Sequence, residues 1–230
     1  MKSKIILAAH QPNFMPNLGY FYKMSNVDVF VVITNIQFEK HEGWQQRNKI
    51  IGPNGDQWLI VPVLGSQNQK IKEVKIDYSR NWLSKHVKTL LCLYSKSSEK
   101  EFLSKLIEIY QLKYERLADL NIELIKLIHK TLEISTQLII DEEVSGLKHD
   151  LLINICKKYD ASLYLSGLGA KKYMTSEYFI ELEKEELTNN FIETHHLYNF
   201  PHSIVHYILK EGKEKVRSLL YAHKELLEIQ

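Results

Sequence analysis

The chain has 230 residues, and its 30 basic and 28 acidic side chains give a formal net charge of only +2. This balance provides no field for gathering nucleic acid, so we expect no nucleic-acid partner. A hydrophobic fraction of 44% is enough for a sizeable core, whereas no apolar run approaches the roughly 20 residues that span a bilayer. The first residues also lack the cleavage site of a secretory signal. We therefore expect a soluble, cytoplasmic protein without membrane insertion, with a single α/β domain over residues 1–230 and two reduced, buried thiols, Cys92 and Cys156.

The first 33 residues predict a strand, a helix and a second strand. Residues 5–9 and 27–33 are apolar runs typical of buried parallel strands. Asn17 is a candidate cap for a helix that ends near Ser25. Three polar side chains directly follow the first strand: His10, Gln11 and Asn13. Because ligands bind outside the carboxyl ends of the strands in such βαβ units, this loop is the first candidate site.

A second polar stretch covers residues 35–48. It carries carboxamides, one arginine and one tryptophan: Asn35, Gln37, Trp44, Gln46, Arg47 and Asn48. These groups suit a sugar, a base or a phosphate, and an ordinary surface loop would look the same. The Gly-Pro-Asn-Gly turn at residues 52–55 then predicts a hairpin between residues 49–51 and 58–63.

The middle of the chain is predominantly helical. The apolar period predicts a helix from Trp82, with Lys85, His86 and Lys88 on a solvated face, and helices over residues 98–110 and 117–132. A strand over residues 136–140 and a helix over residues 149–159 follow.

A glycine loop follows the predicted strand at residues 161–165. Ser166, Gly167 and Gly169 precede a predicted helix that begins near Ala170, and Lys171 or Lys172 can add a positive charge. Backbone N–H groups at such a turn can bind a phosphate or carboxylate, although a lone Gly-X-Gly is often only a tight turn.

The last 55 residues give weaker signals. We expect a short segment at residues 178–180, a polar loop at 181–186, a strand at 190–198 and helices at 203–210 and 213–225. Adjacent His195 and His196 would point to opposite faces of that strand, so we expect no metal site.

Several of these motifs together resemble the WbqC-like family. They run through most of the chain: His10-Gln11-Pro12-Asn13, Gly19-Tyr20-Phe21-Tyr22-Lys23, Asp28-Val29-Phe30, Gln37-Phe38, Trp44, Arg47-Asn48, Gly52-Pro53-Asn54-Gly55, Trp58-Leu59, Trp82-Leu83-Ser84-Lys85-His86, Tyr94, Tyr164-Leu165-Ser166-Gly167, Gly169-Ala170 and Tyr173. The proline- and aromatic-rich segment of the family is shortened here to residues 197–204. The resemblance implies a role in O-antigen or other surface polysaccharide biosynthesis, such as acyl or aminoacyl modification of a nucleotide-linked amino sugar.

The opening unit is also similar to the nucleotidyltransferase-type Rossmann fold, although the second histidine of that family's pair is absent near residues 18–20. We therefore expect an α/β fold with a Rossmann-like parallel core sheet, an added β-hairpin and a helical C-terminal portion.

The functional hypothesis is a transferase, with a non-catalytic nucleotide-sugar-binding or partner-binding module of the same pathway as the alternative. His10 is the catalytic candidate, as an acid/base or as a donor to phosphate. The candidate substrate-binding residues are Gln11, Asn13, Tyr20, Lys23, Gln37, Trp44, Arg47, Asn48, Ser166, Gly167, Gly169 and Tyr173. We expect His10, Arg47 and Gly167 to line one cleft for a nucleotide or nucleotide sugar. The sequence leaves any cofactor and homo-oligomerisation undetermined.

Overall fold

The structure is a computed structural model, and it describes residues 5–40, 43–65, 68–146, 149–194, 197 and 199–222. The regular elements within these residues are β1 (Ile6–His10), α1 (Leu18–Ser25), β2 (Val29–Ile33), β3 (Arg47–Gly52), β4 (Gly55–Ile60), α2 (Trp82–Tyr94), α3 (Lys100–Gln111), α4 (Leu117–Thr131), β5 (Gln137–Asp141), α5 (His149–Lys158), β6 (Leu163–Gly167), α6 (Ser176–Lys184), β7 (Thr188–Ile192), α7 (Ile204–Glu211) and α8 (Lys213–Tyr221), with 3-10 turns at Ile71–Glu73 and Leu168–Tyr173.

A five-stranded sheet with strand order β5-β2-β1-β6-β7 forms the centre, and all of its neighbouring strands are parallel. Both faces are covered, which explains why the central strands β1 and β2 are apolar runs rather than alternating ones. Ala8 faces a core that includes Phe21 of α1, whereas Leu7 faces a second core that includes Ile155 of α5. The predicted Rossmann-like α/β fold is confirmed.

The direction of chain progress reverses between β1 and β6. From β1 the chain moves through β2 to β5, and it then returns to β6 on the other side of β1 and continues to β7. Such a reversal is the topological switch point at which open α/β sheets bind ligands, outside the carboxyl ends of the two strands. The carboxyl ends of these two strands carry His10 and Gly167.

The predicted hairpin is present as β3 and β4, with Arg47 opposite Ile60 and Gly52 opposite Gly55. It is fixed to the rest of the chain by two histidines. His86 of α2 accepts a hydrogen bond at Nε2 from the Ile60 N–H at 3.1 Å, and His202 Nε2 lies 2.8 Å from Asp56 Oδ1.

Placing His86 on a solvated face was wrong, because it is 6% exposed while Lys85 and Lys88 are exposed. Burial lowers the pKa of His86 to about 4.

Several C-terminal predictions were wrong in detail. The expected short segment and polar loop form α6, which Thr175 caps by accepting from the Tyr178 N–H. Tyr178 and Leu182 lie one helical turn apart and are both buried, so a short apolar stripe stabilises this otherwise polar helix. Strand β7 ends at Ile192, and His195 and His196 lie outside the described residues.

The two cysteines differ in their surroundings. Cys156 is buried in the α5-side core, as expected, and burial raises the pKa of its thiol to about 12. Cys92 is exposed on α2, so the prediction of a buried thiol there was wrong.

None of the helices in the described ranges has the length and apolar character needed to cross a bilayer.

Candidate functional site

The carboxyl ends of β1 and β6 separate at the switch point. The paired residues of these strands are Ile6 with Leu163 and Leu7 with Tyr164. Beyond them, the Ala9 N–H donates to the Tyr164 hydroxyl at 3.3 Å. The Ala9 carbonyl accepts from the Lys23 ammonium at 3.0 Å and from the Tyr164 hydroxyl at 3.4 Å. Side chains therefore satisfy the Ala9 backbone in place of a continued strand ladder, and a split opens between the two strand ends.

His10 lies at the end of β1, beside this split. Its Nδ1 is 3.0 Å from the Gln11 carbonyl oxygen. Because a carbonyl only accepts, Nδ1 carries the proton of the neutral imidazole and Nε2 is the acceptor. Burial and, secondly, the nearby Lys23 charge lower the pKa of His10 to about 3. At neutral pH the ring therefore has an Nε2 lone pair, which can accept a proton or a hydrogen bond but cannot donate to phosphate.

Tyr20 and Lys23 of α1 flank the same imidazole. The Tyr20 ring meets the His10 ring edge-on, with 4.8 Å between centroids. The Tyr20 hydroxyl is buried and has no hydrogen-bond partner within the described ranges. Lys23 is 8% exposed, its ammonium lies 5.7 Å from the Phe30 ring centre, and burial lowers its pKa to about 8.

Buried amides hold the loop that carries Gln11 and Asn13. Asn121 of α4 donates from Nδ2 to the Pro12 carbonyl at 2.8 Å and to the Gln45 carbonyl at 2.7 Å. The Gln45 side chain donates to Gln11 Oε1 at 2.9 Å. Gln11 is therefore fixed in orientation, while the buried Asn13 Oδ1 has no partner in the described part of the chain.

Asn48 belongs to the same support and not to a ligand surface. Its Nδ2 donates to the Met15 carbonyl at 2.7 Å and to the Phe14 carbonyl at 3.3 Å, and the residue is 3% exposed. Asn121 was not predicted as a site residue because only the apolar period of helix α4 was considered. An amide on the buried, apolar face of that helix is the signal that could have identified it.

Trp44, Arg47 and Trp58 form an exposed platform on the hairpin. The two indole rings stack with 6.0 Å between centroids and are 42% and 41% exposed. The Arg47 guanidinium lies 5.1 Å from the Trp58 ring centre. The Trp44 carbonyl accepts from the Phe14 N–H at 2.9 Å, which places the platform next to the loop after β1. Trp58 was missed as a site residue, although strand alternation directs it away from buried Leu59.

Gly167 lies at the free end of β6. Leu7 and Tyr164 are paired, and both His10 and Gly167 come three residues later in their strands. The two residues therefore lie at a similar height along the strand direction. A Cβ atom added at Gly167 would meet nothing within 4 Å, so there is open space next to its Cα. That Arg47 completes one cleft with His10 and Gly167 stays a prediction.

The rest of the glycine loop differs from expectation. Ser166 is 2% exposed, and its hydroxyl donates to Asn189 Oδ1 of the neighbouring strand β7 at 2.8 Å. The hydroxyl is therefore used within the fold. Gly169 and Tyr173 lie in the 3-10 turn. The α-helix expected from Ala170 begins only at Ser176, so the N-terminus of α6 does not directly follow the glycine loop as predicted.

Gln37 lies apart from these residues, in an exposed loop where it forms an antiparallel bridge with Lys70. The carboxyl ends of β2 and β5 nearby are closed by Asp141, whose side chain accepts from Lys158 at 2.8 Å and from the Tyr159 hydroxyl at 2.6 Å. Burial opposes the charged carboxylate, but these hydrogen bonds hold the pKa of Asp141 well below its usual range.

Other surface features do not coincide with the split. Three surface grooves, including one between α3 and α4, contain no predicted site residue. Within the described ranges, no cluster of three or more His, Cys, Asp or Glu side chains could hold a metal ion.

Comparison with known proteins connects this chain to a family. The WbqC-like protein family matches residues 11–216. The uncharacterized protein Rv1507c of Mycobacterium tuberculosis (strain ATCC 25618 / H37Rv) is 35% identical over 182 residues, which cover 76% of this chain and 78% of that protein. No solved structure gives a significant match. The extent of the family match shows that this chain belongs to the WbqC-like protein family.

Proposed function

We propose that this protein is a transferase that modifies a nucleotide-activated amino sugar, or a related small molecule, in surface polysaccharide biosynthesis. The observation that carries the proposal is the place of His10 at the carboxyl end of β1, beyond the last residue pair with β6, with Nε2 as the acceptor nitrogen of its ring. Ligands of open α/β sheets bind at such positions. Membership of the WbqC-like family supports the polysaccharide setting.

The proposed step is acyl or aminoacyl transfer to the sugar amine. The amine nitrogen forms a bond to the acyl carbon of an activated donor, such as an acyl-adenylate, and the bond to the donor's leaving group breaks. His10 Nε2 accepts the proton that the amine loses. Positioning supplies most of the remaining rate enhancement, so a metal is not required by this scheme.

The surrounding residues have defined roles in this proposal. Gln11 and Asn13 orient the sugar from a loop that buried amides hold in place. Trp44 stacks on the base or the sugar ring, and Arg47 pairs with a phosphate of the nucleotide. Gly167 leaves room for the donor because nothing lies within 4 Å of its missing side chain.

The test is incubation of the protein with nucleotide amino sugars and activated acyl donors, with products identified by mass spectrometry. We expect a mass increase equal to the acyl group, and a loss of turnover of about 10²- to 10⁴-fold for His10→Ala, the usual contribution of general base catalysis. An unchanged thermal midpoint shows that the variant is folded. Full turnover by folded His10→Ala refutes the catalytic assignment.

One observation favours a second function, a non-catalytic module that binds a nucleotide sugar. A pKa of about 3 makes His10 a weak base at neutral pH. Thermal stabilisation by nucleotide sugars without any product in the same incubations would support this module over the transferase. Product formation excludes it.

A further inference from the structure

Lys23 is a buried cation without a counter-charge. It is 8% exposed, and no carboxylate pairs with it in the described part of the chain. Its one hydrogen bond, to the Ala9 carbonyl, uses one of three ammonium N–H groups. Buried charges in proteins are normally paired, because an isolated charge loses its hydration without compensation. The ammonium therefore either simply destabilises the fold or forms an ion pair with an anionic group of a ligand.

The Tyr20 hydroxyl is a second group that points to a ligand. Tyr20 is 4% exposed, and its hydroxyl oxygen is buried with no partner within the described residues. Tyr20 and Lys23 are three residues apart on α1, so they lie on one face of the helix. A buried hydroxyl that makes no hydrogen bond costs stability, and a phenylalanine would avoid that cost. Two neighbouring donors thus have unused capacity beside His10.

The split between the strands gives these donors a place for a ligand. Lys23 bonds to the Ala9 carbonyl at the point where β1 and β6 cease to pair. We propose that an anionic group of the ligand, a carboxylate or a phosphate, binds at this split, with Lys23 as its counter-charge and the Tyr20 hydroxyl as a further donor. The inference rests on the proposed function only for the location of the site, and it holds for an enzyme or a binding module.

Three titratable groups of the described residues cluster with Lys23. They are His10 on β1, Tyr20 on the same helix and Tyr164 on β6, which shares the Ala9 carbonyl. His10 is neutral at pH 7, and burial raises the pKa of both tyrosines, so Lys23 is the charged member of this group between about pH 5 and 8. Anion affinity should therefore fall as pH rises through about 8, where Lys23 loses its proton.

The test is calorimetric titration with inorganic pyrophosphate and, separately, with succinate, at constant ionic strength. Lys23→Met should weaken binding at least about tenfold, and Tyr20→Phe severalfold, as expected for lost hydrogen bonds to a charged group. Lys126→Met removes an exposed lysine that pairs with Glu123, and it should leave affinity unchanged. Since Tyr20→Phe removes only an atom without a partner, its fold is preserved and the test does not depend on Lys23→Met alone.

The two probes separate the sources of the anion. Binding of pyrophosphate alone indicates a phosphate of the ligand, and binding of succinate alone indicates a carboxylate. The proposal is overturned if wild-type protein binds neither probe, or if Lys23→Met and Tyr20→Phe bind both as tightly as wild type does. Anion binding that depends on Lys23, together with no product from any nucleotide sugar, would sustain this inference while the transferase proposal fails.

Discussion

Replacing Lys23 by methionine should stabilise the free protein. Burial lowers the pKa of Lys23 from 10.5 to about 8. A difference of about 2.5 pKa units corresponds to roughly 3 kcal/mol of destabilisation at pH 7, at about 1.4 kcal/mol per unit. Methionine keeps the buried stem but loses the hydrogen bond to the Ala9 carbonyl, which costs about 1 kcal/mol. The net gain in free energy of unfolding at pH 7 is therefore about 2 kcal/mol.

The pH dependence of this gain follows from the same shift. Between pH 8 and 10.5 the unfolded chain binds the Lys23 proton and the folded chain does not, so wild-type stability rises with pH in that window. The advantage of Lys23→Met should be complete below about pH 8 and fall by about 3 kcal/mol by about pH 10.5, where the lost hydrogen bond leaves the variant slightly less stable than wild type. Urea unfolding of both proteins from pH 7 to 10.5 measures this advantage. Tyrosines titrate in the same range, but their contribution to the free energy of unfolding is common to both proteins and cancels in the difference.

A matched control separates this effect from general charge removal. Lys126 is exposed on α4 and pairs with Glu123, and Lys126→Met should change the free energy of unfolding at pH 7 by no more than about 1 kcal/mol. If Lys23→Met instead destabilises the protein at pH 7 by several kcal/mol, independently of pH, the ammonium is compensated in the fold. That result would refute the view of Lys23 as a cation that awaits a ligand.

Three further variants probe the supports of the site. Asn121→Ala should lower the free energy of unfolding by about 2–4 kcal/mol in urea, because two buried carbonyls lose their donor. Asp141→Asn should destabilise the protein by about 2 kcal/mol at pH 7 through the weakened pair with Lys158. The difference should shrink as pH falls below about 4, where the carboxylate is protonated in the unfolded chain but still charged in the folded one, and it should be lost as pH falls through the lowered pKa of the folded carboxylate. Trp44→Ala should weaken nucleotide binding about tenfold in calorimetry, since stacking contributes about 1–3 kcal/mol, while the exposed Leu64→Ala should not.

The opening βαβ unit could be predicted because its signals are local. Residues 5–9 and 27–33 are continuous apolar runs, and the Asn17 side chain caps α1 by accepting from the Tyr20 N–H, as the sequence indicates. A parallel sheet buried on both faces requires such runs. The pairing of β1 with β6 brings together segments about 155 residues apart. No local pattern encodes that distance, so the split between them emerges only in the fold.

Polar residues near the site were harder to assign than apolar ones. Asn48 and Arg47 are adjacent in one polar stretch, yet strand β3 turns the amide into the core and the guanidinium onto Trp58. Their roles depend on which face of the hairpin packs against the core. A polar side chain does not reveal in the sequence that it faces the core when its partner there is a buried backbone carbonyl. His86 was misassigned for the same reason, since its partner is a backbone N–H of the hairpin.

The low pKa of His10 and the unpaired charge of Lys23 are linked. Burial is the larger cause of that low pKa, and the Lys23 charge is the second. An anion that neutralises Lys23 removes the second cause and leaves the first, so it raises the basicity of His10 Nε2 only when a ligand is in place. Without an anion, burial and the Lys23 charge both disfavour protonation of the imidazole, so Nε2 remains an acceptor. The low basicity of His10 and the anion-binding role that we propose for Lys23 are therefore parts of one arrangement, in which the negative charge of a bound ligand compensates the buried ammonium.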